Sequence, residues 1–106
     1  MTTPSSFGLA ISQRRKEKKM SQKDLASQIK REDDQSISPQ YLNDIEHDRR
    51  SPSSEMIIQQ LADILDMKAD VLYFLAGKFP ADLVNQKTTP QKIEAAMVAF
   101  RKTIQG

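Results

Sequence analysis

The 106-residue chain has no cysteine, no tryptophan, three glycines and one histidine. Without cysteine there is no disulfide framework and no thiol chemistry. The glycines are scattered, so no glycine-rich phosphate loop exists. The contiguous acids Glu32-Asp33-Asp34 lack the alternating ligands and the glycine of a calcium loop, and no other ligand cluster is visible, so no metal is expected. His47 stands beside Asp48, but adjacent helical residues face different ways; neither an enzyme nor a cofactor is expected. No apolar run is long enough to span a bilayer. Met1-Thr2-Thr3-Pro4 has neither the basic nor the apolar region of a signal peptide, so a cytoplasmic location without membrane association is expected. Alternating β-branched runs and Asn-Gly or Asp-Gly hairpin signals are missing too, which leaves an all-α chain.

What is present suits one small soluble domain with an appended element: 38% hydrophobic and 28% charged residues. Four Phe and two Tyr make the expected core aliphatic. Residues 1–5 read as disordered. A first helix is expected from about Ser6 to Lys19, with Phe7, Ala10, Ile11 and Arg14 on one side. Ser21 and Asp24 form an S-x-x-D variant of the capping box and start a second helix with Leu25, Ala26 and Ile29 inward. The polar stretch Lys30–Ser36 reads as a loop or a helix extension followed by a loop. A third helix runs from Ser38 to about His47. Ser53 then caps a fourth, with Met56, Ile57, Leu61, Ile64 and Leu65 inward and Asp66 at its end. Asp70–Ala76 is a short, very apolar fifth helix, closed by Gly77 as left-handed C-cap. Pro80–Val84 reads as one turn. Thr89-Pro90 opens a last helix whose Ile93, Ala96, Met97, Phe100 and Ile104 form a continuous apolar stripe.

The stretch Ser38–Arg50 carries the chemistry. Ser38 is a good N-cap and Pro39 suits the first helical position. Leu42 and Ile45 give a narrow dry seam, while Gln40, Asn43, Asp44 and His47 lie off it and can make directional hydrogen bonds. Arg49 and Arg50 follow where the helix ends. Such a helix fits a DNA groove, and it also fits an ordinary solvated surface. Arg14, Arg15, Lys16, Lys18, Lys19 and Lys23, against the single acid Glu17, form a basic cluster of the kind phosphate contact requires. Net charge is only +2, so the placement of charge says more than its sum.

Phe7-Gly8-x-x-Ile11, Arg15, Met20-Ser21-Gln22-x-x-Leu25-Ala26, Ile37-Ser38-x-x-Tyr41-Leu42-x-x-Ile45-Glu46, Arg50-x-Pro52-Ser53 and Leu61-Ala62-x-x-Leu65 together resemble the XRE-type helix-turn-helix family of phage repressor and Cro-like regulators. The resemblance runs from about Phe7 to Gly77. It implies a five-helix DNA-binding domain, commonly dimeric, in which the second helix of the motif enters the major groove. It implies base reading by Gln40, Asn43 and Asp44, and phosphate contact by Ser21, Gln22, Lys23, His47, Arg49 and Arg50. Gln22 would also brace the reading helix. Arg15 and Glu46 resemble a structural pair joining helix one to the end of helix three. The chain departs from the family in three places. The turn between helices two and three is about six residues longer than usual and acidic. Pro39 replaces a frequent base reader, and His47-Asp48 replaces an Asn/Gly-type turn.

The expected organisation is therefore a helix-turn-helix domain over 6–78 and an extension over 79–106 with a helix at about 90–104. The expected function is a sequence-specific regulator, a repressor, binding double-stranded DNA as a homodimer on a palindromic operator. Ile93, Met97, Phe100 and Ile104 are the candidates for dimerisation. The alternative is an antitoxin or adaptor on the same fold, whose acidic loop or last helix binds a protein partner.

Overall fold

The structure is a computed structural model that describes residues 6–106; the expectation for residues 1–5 lies outside the described residues. Among the described residues seven helices follow one another: α1 Phe7–Glu17, α2 Gln22–Gln28, α3 Pro39–Glu46, α4 Glu55–Leu65, α5 Ala69–Leu75, α6 Ala81–Val84 and α7 Pro90–Gln105. Among the described residues there is no strand, only an isolated antiparallel bridge between Lys30 and Ser36. Ile11, Leu25, Ile29, Leu42, Ile45, Ile57, Ile58, Leu61, Leu65 and Leu72 are sealed into one aliphatic core shared by α1 to α5 and the chain around them.

Side-chain caps start most of these helices. Ser6, Ser21, Ser38 and Thr89 each accept a hydrogen bond from a backbone N–H in the first turn of the helix that follows. The cap of α4 is Ser54 rather than the expected Ser53; Ser53 instead donates its backbone N–H to the Tyr41 hydroxyl at 2.8 Å. Met56, expected inside, is 39% exposed, while Ile58 takes an inward place.

At their C-termini, four helices stop on a left-handed residue: Lys19, Asp48, Asp66 and Gly77, with φ of 58°, 58°, 55° and 72°. Each is followed by an N–H reaching back five residues to a carbonyl of the last turn, such as Met20 N to Arg15 O at 3.1 Å and Lys78 N to Tyr73 O at 2.9 Å. α1 therefore ends at Glu17, two residues before the expected Lys19.

The polar stretch between α2 and α3 is a loop and not a helix extension. It folds into a small hairpin: Ile37 N donates to Ile29 O at 2.9 Å and Arg31 N to Gln35 O at 2.8 Å, with Asp34 left-handed at the tip. Gln60 of α4 grips it through Lys30, accepting the Lys30 N–H at 2.7 Å and donating to the Lys30 carbonyl at 2.8 Å. Arg31 and Asp33 pair within it.

Beyond α5 the chain packs loosely. α6 and α7 bury no residue. The radius of gyration, 15.4 Å, exceeds the about 13 Å of a compact domain this long. The contact of α7 with the domain includes Phe74 and Phe100, whose ring centres lie 5.7 Å apart.

Candidate nucleic-acid interface

α3 has one dry side and one open side. Leu42 and Ile45 are fully buried, and Glu46 is 5% exposed. Gln40, His47, Arg49 and Arg50 are exposed; Asn43 and Asp44 are half-buried. The helix is held against α1 by the expected Arg15–Glu46 pair. Arg15 Nε donates to Glu46 Oε2 at 2.7 Å and its second terminal nitrogen to Oε1 at 2.9 Å. The remaining terminal nitrogen donates to Met20 O at 2.9 Å. The hydrogen bond to Glu46, working against burial, raises the Arg15 guanidinium above its already high ordinary pKa.

A second tie runs between α1 and the end of α3. Asp48 accepts from the Gly8 N–H at 2.9 Å and from the Ser6 hydroxyl at 2.7 Å, so it serves the start of α1 from outside. The approach is so close that a Cβ on Gly8 would lie 2.5 Å from the carbonyl oxygens of Ile45 and Glu46. The sequence by itself singles out neither Gly8 nor Asp48 for this role. The isolated glycine in the first turn of an amphipathic helix is the available signal.

α2 crosses behind α3. Its capping box is complete: Ser21 Oγ accepts from Asp24 N at 3.0 Å, and Asp24 accepts from Ser21 N at 3.2 Å. The Ser21 backbone N–H first, and the Ser21 side chain after it, hold the Asp24 carboxyl below its ordinary range. Ser21 and Lys23 are exposed at this helix start. Gln22, assigned to phosphate by resemblance, turns inward: its Nε2 donates to Glu46 Oε1 and to Asn43 Oδ1, both at 3.0 Å. It braces α3, as the same resemblance implies.

The open side of α3 is organised around Asp44. Gln40 Nε2 donates to Asp44 Oδ1 at 3.0 Å, and Arg49 Nε donates to the same oxygen at 3.2 Å. The acid thus carries its own counter-charge. His47 ends the helix, its Nδ1 2.8 Å from Asn43 O, so His47 and Asp48 engage different partners. Arg50 lies over the Tyr41 ring at 5.4 Å from its centre. Tyr41 is half-buried against the core, and its hydroxyl receives the Ser53 N–H.

The basic cluster of the sequence divides. Arg15 is spent on Glu46, Arg14 on Leu65 O at 2.7 Å and on Glu17, and Lys18 on Asp66 at 2.6 Å. Lys16, Lys19 and Lys23 are exposed. Half of the expected footprint is internal bracing between α1 and the ends of α3 and α4.

The last helix presents its stripe to solvent. Ile93, Phe100 and Ile104 are 53%, 41% and 59% exposed, and Met97 is half-buried. Phe79, Leu83 and Val84 add exposed apolar side chains on and before α6.

A helix-turn-helix family model matches residues 11–72, which takes in most of α1, all of α2, α3 and α4, and the start of α5. No curated protein matches the sequence. Among solved structures, a chain of the SinR protein/SinI protein complex is similar in fold, with a TM-score of 0.53, 18% identity, and coverage of 94% of this chain and 99% of that one. The family match spans more than half of the chain and encloses the capped α2, the hairpin turn and the outward α3, and the protein belongs to the XRE-type helix-turn-helix family of DNA-binding regulators.

Proposed function

We propose that the protein is a transcriptional repressor that works in the cytoplasm and lays α3 in the major groove, as a homodimer on a palindromic operator. The observation that carries this reading is the two-sidedness of α3. Leu42, Ile45 and Glu46 fasten it to the core, while Gln40, Asn43 and Asp44 keep solvent access on the helix that Arg49 and Arg50 follow. The major groove presents a distinct donor and acceptor pattern for each base pair, which amide and acid side chains can read. Ser21, Lys23, His47, Arg49 and Arg50 border the reading face and serve the phosphates. Gln22 contributes chiefly by holding α3. Residues 6–78 form the DNA-binding unit and 79–106 the extension, whose α7 stripe joins two copies so that two half-sites are engaged together. The uncovered apolar side of α6 and α7 also favours a second reading, a protein partner on the extension. The SinR neighbour is a protein in a complex with SinI.

A salt titration of operator binding tests the docking. Changing both Arg49 and Arg50 to Ala should weaken binding on every sequence and reduce the log–log salt slope by roughly 0.9 for each phosphate no longer neutralised. Gln40→Ala should cost about 1–3 kcal/mol at one base position only. Unchanged binding by the double variant would refute the docking. A uniform loss with Gln40→Ala would make Gln40 a backbone contact.

A further inference from the structure

The hydrogen bonds behind α3 set the polarity of its reading face as well as its position. A carboxylate can only accept, so the Gln22 atom 3.0 Å from Glu46 Oε1 is the amide nitrogen. That same nitrogen lies 3.0 Å from the Asn43 side chain, which therefore turns its oxygen inward. Arg15 pins Glu46 by two hydrogen bonds, so the orientation is inherited from a buried ion pair. Among the described residues no buried side-chain nitrogen or oxygen lacks a partner and Asn43 Nδ2 makes no hydrogen bond, so Nδ2 keeps contact with solvent. At Gln40 the constraint is reversed. Asp44 Oδ1, charged beside Arg49, must face the Gln40 nitrogen, which leaves Oε1 and one N–H of Gln40 directed elsewhere.

We propose that this relay fixes what each amide reads. Asn43 presents a donor and is matched by a keto-bearing base, guanine through O6 or thymine through O4. Gln40 presents an acceptor and is matched by an amino-bearing base, adenine through N6 or cytosine through N4, with adenine N7 able to take the remaining N–H. Asp44 then also acts as a positioning residue for Gln40. The proposal rests on the groove docking above and adds the base chemistry of the half-site.

The test is selection of bound duplexes from a random pool with the full chain, in wild-type, Asn43→Ala, Asn43→Asp and Gln22→Met forms, each checked for folding by circular dichroism. Asn43→Ala marks the position that Asn43 faces by loss of preference there. The wild-type chain should prefer a keto-bearing base at that position. Asn43→Asp keeps an oxygen for Gln22 and replaces the outward N–H₂ with an acceptor. It should switch the position to an amino-bearing base, with discrimination of roughly 5- to 150-fold. Gln22→Met frees the amide to turn and should erase the preference at that position alone, which keeps the test available if Asn43→Asp does not fold. An amino-bearing base opposite Asn43 in the wild type, an unchanged base with Asn43→Asp or Gln22→Met, or no position marked by Asn43→Ala would overturn the polarity assignment and leave the groove docking standing. A pool with no enriched sequence would overturn both.

Discussion

Replacing Glu46 by Leu puts the heaviest load on this structure. The Glu46 side chain is 2% exposed and that of Arg15 11%. Removing the acid leaves the guanidinium with Met20 O as its remaining partner in a dry interface between α1 and α3. Stranding one member of a buried pair costs about 3–5 kcal/mol. A domain of this size has a total stability of roughly 5–15 kcal/mol. Each kcal/mol lowers the melting temperature by about 4–8 °C, so the expected drop is at least about 12 °C. Arg15→Met should cost a similar amount, because it buries an unpaired carboxylate whose remaining partner is Gln22.

The double variant, Arg15→Met with Glu46→Leu, should recover most of that loss. Both charges go together, and apolar replacements of a buried pair are often neutral. What remains is the Met20 carbonyl without its donor and Gln22 without one acceptor, up to about 1–3 kcal/mol each and less here because both hydrogen bonds are only part-buried. Urea unfolding followed by circular dichroism across the four proteins gives the coupling energy directly. A single variant costing under about 1 kcal/mol, or a double variant as unstable as the sum of the singles, would refute the reading of the pair as dry and mutually dependent.

Three further outcomes are expected. Gly8→Ala gains about 1 kcal/mol of helix propensity, but its Cβ would sit 2.5 Å from two backbone oxygens and 2.7 Å from Asp48 Oδ1, none of them the end of a long flexible side chain. Overpacking should win with a net loss of about 1–3 kcal/mol, and a raised melting temperature would contradict it. Phe100→Asp should turn a dimer into a monomer in analytical ultracentrifugation; a dimer that persists would place the interface elsewhere. Asp24 and Asp66 have folded pKa values below 3.8, held there by the Ser21 N–H and by Lys18 respectively, so their contribution is present above that pH and lost as pH falls below it. Asp24→Asn should flatten the decline of the urea midpoint below about pH 4, and an unchanged decline would remove the capping carboxylate from the account.

Local signals with a mechanism are legible in the sequence. The S-x-x-D box, Ser38-Pro39, Thr89-Pro90 and Gly77 each state a helix boundary in side-chain chemistry, and each stands where its chemistry requires. The Arg15–Glu46 pair comes from resemblance, since 31 residues of separation carry no local signal. Ser53 and Ser54 are equivalent as caps by residue type; what decides between them is the Tyr41 hydroxyl 12 residues upstream, which takes the Ser53 N–H. The hairpin is invisible to local pattern because its stabilising partner, Gln60, lies on another helix and grips backbone rather than side chain. The basic cluster overstates the phosphate footprint for a similar reason: the acceptors that consume Arg14 and Lys18, Leu65 O and Asp66, belong to the far end of α4.

The same long-range ties explain how so small a domain can hold α3 still. α3 has eight residues and only a narrow apolar seam, which by itself would leave it free to rock. Asp48 adopts a left-handed conformation that costs a non-glycine residue roughly 1–2 kcal/mol. In that position its carboxylate takes two hydrogen bonds from the start of α1, and the glycine there lets the backbones close to contact. Two residues earlier Glu46 is pinned by Arg15, and through Gln22 the same acid reaches Asn43. The C-terminal half of α3 is therefore fixed in position by Asp48 and in polarity by Glu46. Its N-terminal half depends on Ser38 and on Asp44, which is shared between Gln40 and Arg49. Recognition by Asn43 should accordingly be the more rigid of the two contacts. Exchanging the buried pair for Met and Leu should leave a folded protein whose loss of discrimination is concentrated opposite Asn43, with the Gln40 position retained.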